Sequence, residues 1–77
     1  MPKILVVEDD HLIRETICEW LGDAGHEVIG VCCGPHAVQV LHTQSNPPQL
    51  IISDVEMPGG TDALFETVRN RGLPLLI

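Results

Sequence analysis

Four aliphatic residues in a row, Ile4-Leu5-Val6-Val7, stop abruptly at Glu8-Asp9-Asp10. A strand with one wet face alternates apolar and polar residues. A short run without alternation reads as a strand buried on both faces, which occurs where helices cover both sides of a parallel sheet. Comparable runs recur at Val28-Ile29-Gly30-Val31-Cys32, Leu50-Ile51-Ile52-Ser53 and Leu73-Pro74-Leu75-Leu76-Ile77. Between them the apolar residues fall three and four apart, the spacing of amphipathic helices. Leu12, Ile13, Ile17, Trp20 and Leu21 mark the first helix, Ala37, Val38, Val40 and Leu41 the second, and Ala63, Leu64, Phe65 and Val68 the third. The order β-α-β-α-β-α-β implies parallel strands joined by right-handed crossovers.

The punctuation agrees with this order. Asp10 is placed to cap the first helix and Gly25 to end it. Gly34-Pro35 opens the second helix, Ser45-Asn46-Pro47-Pro48 forms a loop, and Met57-Pro58-Gly59-Gly60 forms a turn. Thr61 or Asp62 caps the third helix and Gly72 stops it. Seventy-seven residues allow one small domain, which buries only about 60–65% of its unfolded surface. With aromatic residues at 3%, the core is aliphatic. Trp20, in helical register with Ile13 and Ile17, is expected in that core. His11, His26 and His42 are expected at the surface, at element ends.

Eleven acidic residues against four basic ones give a formal charge of −7. That balance opposes direct nucleic-acid binding and suits a cation or a basic partner. No apolar run is long enough for a membrane span or a leader peptide. The three cysteines, Cys18, Cys32 and Cys33, are an odd count with two adjacent, which reads as free thiols in a reducing cytoplasm. Cys32, Cys33 and His36 suggest a metal clip, but no fourth ligand accompanies them, and a strand end followed by a loop is the preferred reading.

In an open parallel sheet, ligands bind beyond the carboxyl ends of the strands. Two strands here end in acids: Glu8-Asp9-Asp10 after the first and Asp54 after the third. If those strands are neighbours, the carboxylates converge and repel. Either a pKa rises or a hard cation with oxygen ligands joins them, and Mg²⁺ suits few carboxylates plus waters and phosphate oxygens. Asp54 could then act as a carboxylate nucleophile towards a phosphoryl group. The plainer reading of the same acids is helix capping and solvated loops, and for Asp10 the two stand level.

Ile4-Leu5-Val6-Val7-Glu8-Asp9-Asp10 resembles the first strand and acidic pair of response-regulator receiver domains of two-component signalling. Leu50-Ile51-Ile52-Ser53-Asp54-Val55-Glu56-Met57-Pro58-Gly59 resembles their third strand, phosphorylation site and following turn. Gly72-Leu73-Pro74 resembles the entry to their fourth strand. The resemblance implies a flavodoxin-like α/β fold with sheet order 2-1-3-4, residues 1–77 forming the N-terminal part of a single receiver domain. It implies that Asp54 accepts phosphate from a histidine kinase or a histidine phosphotransfer protein. It also implies Mg²⁺ held by Asp9, Asp54, the backbone carbonyl of Glu56 and, through water, Glu8. Pro58 and Gly59 shape the loop behind Asp54, and Asp10 remains a helix cap. Such a domain is regulatory and not a metabolic enzyme.

The family fold has five strands and five helices. Its Ser or Thr after the fourth strand and its lysine after the fifth would lie beyond Ile77. Lys3, Arg69 and Arg71 fall at the wrong end of the sheet, so no cation is expected to replace that lysine. An uncovered sheet face and the Leu75-Leu76-Ile77 edge suggest a homodimer or element-exchanged oligomer. Hence the rival reading, a truncated receiver that only dimerises and does not switch. A third, a small phosphatase using Asp54, is disfavoured because Glu56 is followed so soon by Pro58.

Overall fold

The computed structural model describes residues 2–43, 46–54 and 60–76. Its elements are β1 (Lys3–Val7), α1 (His11–Asp23), β2 (Glu27–Val31), α2 (Gly34–Thr43), β3 (Leu50–Ser53), α3 (Asp62–Arg71) and β4 (Leu75–Leu76). All strand pairs are parallel and the sheet order is β2-β1-β3-β4. β1 is central, and every one of its residues is buried. This is the absence of alternation seen in the sequence, realised as a strand covered on both faces.

Leu5, Val7 and Ile51 turn to one face and meet Ala37 and Leu41 of α2 and Leu64 and Val68 of α3. On the other face α1 lies over β2 and β1. Asp10 caps α1 as expected: its carboxylate accepts from the Leu12 and Ile13 amides at 2.9 and 3.1 Å. The helix ends at Asp23, two residues before the predicted glycine. Ala24 is the cap, and Gly25 follows at φ +94° with its amide on the Gly22 carbonyl. Gly72 closes α3 in the left-handed region, φ 65°.

Trp20 corrects the sequence reading. It is not in the core but 69% exposed, with Leu12 at 73% and Ile13 at 49%. No residue of α1 is buried. The apolar stripe of α1 is wider than the strip of sheet beneath it, so its outer flank faces away. Leu12, Ile13, Thr16, Ile17 and Trp20 line an open hollow of about 310 Å³. On the same sheet face Leu76, in register with Ile52, is also exposed. β4 is shorter than predicted because Leu73 bonds back to Val68 of α3; Ile77 lies outside the described residues. Among the described residues, no helix is long and apolar enough to cross a membrane.

Candidate metal and phosphoryl site at the carboxyl end of the sheet

β1 and β3 are hydrogen-bonded neighbours, with Val7 opposite Ser53. Their last residues therefore leave the sheet side by side. The Asp54 amide donates to the Val7 carbonyl at 3.3 Å, and the Glu8 amide donates across to the Val31 carbonyl at 3.0 Å. These bonds extend the ladder by one step and fix where the acids emerge. Glu8, Asp9 and Asp54 each offer a carboxylate oxygen within 4.8 Å of the others. Asp9 and Asp54 are exposed and Glu8 is half-buried. Asp10 turns away to cap α1, while its amide donates to Glu8 Oε1 at 3.3 Å. Glu56, Pro58 and Gly59, and with them the predicted carbonyl ligand, lie outside the described residues.

The crowding has an electrostatic consequence. Burial pushes the Glu8 carboxyl above its ordinary value of 4.5, and the Asp9 side chain and the charges of Asp54 and Asp9 push the same way. The Asp10 amide opposes this in part. Three carboxylates this close together are a set that a hard divalent cation would relieve.

Arg14 is the residue that sequence reading missed. It lies at this end of the sheet, a basic residue that the placement of Lys3, Arg69 and Arg71 left out of account. Its Nη1 donates to the Glu8 carbonyl at 2.9 Å, and its Nη2 lies 2.9 Å from His11 Nδ1. Those two bonds hold the guanidinium in place, so Arg14 braces the β1 end. The signal was its place four residues after the Asp10 cap, on the helical face that turns back to the strand end. Gly30 makes its path possible. A Cβ there would meet Cys18 Sγ at 3.0 Å and the Arg14 Cγ at 3.3 Å. On the far rim, Cys32 donates to the Cys33 sulfur at 3.6 Å, which pushes the Cys32 thiol above its ordinary value. Among the described residues these cysteines form no metal-spaced group with His36; Glu8, Asp9 and Asp54 are the one such group.

Comparison with known proteins agrees with this geometry. The family model for the response regulator receiver domain matches residues 4–75. The transcriptional regulatory protein PdtaR of Mycobacterium tuberculosis is 35% identical over 97% of this chain and 37% of its own length. A response regulator receiver protein from Pseudomonas putida superposes with a TM-score of 0.84 at 29% identity, covering 96% of this chain and 64% of its own. TrrA of Thermotoga maritima, solved with Mg²⁺ and BeF, gives a TM-score of 0.80 at 33% identity, covering 92% and 61%. In complex with the histidine kinase ThkA it gives 0.81 at 31% identity, covering 97% and 65%. The chain thus spans less than two thirds of each relative. With its sheet order, its acid-bearing strand ends and a family match over nearly its whole length, the chain belongs to the response-regulator receiver domain family.

Proposed function

We propose that residues 1–77 carry the phosphate-accepting part of a cytoplasmic receiver domain, and that Asp54 is the acceptor. The observation that carries this reading is the convergence of Glu8, Asp9 and Asp54 at the carboxyl end of adjacent strands. The donor would be a phosphohistidine of a kinase or phosphotransfer protein, as the TrrA–ThkA complex suggests by analogy. An Asp54 carboxylate oxygen attacks phosphorus in line, the P–N bond to the donor imidazole breaks, and an acyl phosphate forms on Asp54.

The donor set suits Mg²⁺, being carboxylate oxygens only, on a rim open to water. Asp9 and Asp54 would hold it directly, Glu8 through water, and the Glu56 carbonyl would complete the set. When bound, it would offset charge on the transferred oxygens. Arg14 steadies the Glu8 backbone, and the Val7 and Val31 carbonyls fix the two strand ends. The role is regulatory, with self-directed phosphoryl chemistry only.

The test is incubation with acetyl phosphate and Mg²⁺, read by intact mass. One phosphoryl adduct is expected, absent from Asp54→Ala and absent with EDTA. An adduct that survives Asp54→Ala removes the assignment. The exposed Leu12, Ile13 and Trp20 and the Leu76 edge favour a second reading, a dimerising module that does not switch. Sedimentation of a stable, folded monomer would exclude it.

A further inference from the structure

The turn between β2 and α2 carries two adjacent thiols that the acidic site does not use. Neighbouring side chains in a strand point to opposite faces. β2 ends at Val31, however, and the bend over Cys32 and Cys33 brings both sulfurs together, 3.6 Å apart. Cys32 is exposed, Cys33 is half-buried, and both are free thiols. We propose that Cys32 and Cys33 form a reversible redox site, closed to a vicinal disulfide by hydrogen peroxide and reopened by a small thiol.

The chemistry balances. One sulfur, as its thiolate, attacks a peroxide oxygen. The O–O bond breaks, and the departing oxygen takes a proton and leaves as water, so that sulfur is a sulfenic acid. The second sulfur attacks it, the S–S bond forms, the S–O bond breaks, and a second water leaves. The two thiols together lose two hydrogens and two electrons, which the peroxide gains. A resolving thiol already in contact favours the bridge over further oxidation. Adjacent Cα atoms are about 3.8 Å apart, below the usual disulfide span of about 4.4–6.8 Å. The ring is therefore strained and easily reduced, as reversible disulfides are.

The turn is tied to its surroundings on three sides. The Val31 carbonyl receives the Glu8 amide, and the Cys33 carbonyl receives the Ala37 amide at 3.1 Å. Gly34 packs directly on the Gly60 carbonyl. Ring closure must therefore move backbone that reaches the acidic rim. It needs neither Mg²⁺ nor Asp54, so it stands or falls separately from phosphoryl transfer.

The experiment treats the full chain, metal-free, with equimolar hydrogen peroxide. It reads intact mass, alkylatable thiols and backbone amide resonances. Expected are the loss of two hydrogens, a fall from three alkylatable thiols to one, and full recovery with dithiothreitol. Cys18→Ser keeps the response. Cys33→Ser loses it and leaves a sulfenic acid on Cys32 that dimedone traps. The Glu8 and Ala37 amide resonances shift, while His26 at the far end does not. A bridge that includes Cys18, a doubled mass, or sulfinic acid without a bridge overturns the proposal. A closed ring with unmoved Glu8 and Ala37 amides overturns its coupling to the rim.

Discussion

Replacing Asp54 by asparagine should stabilise the metal-free protein. In the folded chain the Asp54 carboxylate lies within 4.8 Å of both Glu8 and Asp9. Two unit charges about 4 Å apart repel by about 1 kcal/mol in water and by about 4 kcal/mol at an effective dielectric of 20. Asp54 and Asp9 are exposed, so the aqueous figure applies, reduced further by solvent and salt screening. Asparagine keeps the shape and removes the charge from two of the three repelling pairs. The gain should be about 1 kcal/mol, a rise of about 4–8 °C in melting temperature for a chain of this size. Urea unfolding in EDTA at low salt measures it, and the difference should shrink as salt is added. Mg²⁺ should reverse the order, because the parent has a carboxylate for the cation and the variant does not. An Asp54→Asn protein no more stable than the parent in EDTA would refute the convergence of these three acids.

The same crowding sets a pH dependence. The Glu8 carboxyl is raised above 4.5 in the fold, so the folded state holds its proton more tightly than the unfolded chain. That contribution is complete below about pH 4.5 and is lost as pH rises through the raised value. Glu8→Gln should therefore stabilise the metal-free chain at neutral pH and have little effect in acid, as urea midpoints across that range will show. Asp10→Ala removes the acceptor for two helix-end amides and should cost about 1 kcal/mol, with phosphoryl transfer retained if Asp10 is a cap alone. Gly34→Ala places a methyl against the Gly60 carbonyl and should cost about 1–3 kcal/mol, measured by thermal unfolding. Trp20→Ala should change stability by no more than about 0.5 kcal/mol, and the parent should show the red-shifted emission of a wet indole.

How much the sequence revealed depends on how far each signal reaches. Strand signals carried their own burial. Ile4-Leu5-Val6-Val7 reads as buried on both faces because an exposed face would have left polar residues in it, and all four are buried. The acid positions were equally legible. Glu8, Asp9 and Asp54 sit one or two residues past β1 and β3, and a parallel sheet leaves few ways to arrange those ends. Arg14 was not legible in the same way. Its reach to the Glu8 carbonyl depends on Gly30, sixteen residues on, having no side chain in the way. Its place four residues after the Asp10 cap aims it at the strand end, but the room over Gly30 is not visible from α1 alone.

Trp20 failed for a different reason, and it separates two properties that periodicity runs together. Helical spacing shows that apolar residues share a face; it does not show what covers that face. Ile17, Cys18 and Leu21 are the half-buried inner flank of α1, while Leu12, Ile13 and Trp20 lie round the helix on its open flank. Burying a tryptophan side chain removes 150–250 Å² from water at about 25 cal/mol per Å², so a Trp that stays wet forgoes several kcal/mol. A stripe of this width is matched to more surface than β1 and β2 present. Leu76 of β4, in register with Ile52, is exposed as well. The hollow beside α1 is lined by Leu12, Ile13, Thr16, Ile17 and Trp20, all of them α1 residues. Periodicity therefore assigns Leu12, Ile13 and Trp20 to the apolar side of α1, and the width of the sheet beneath decides that they stay exposed.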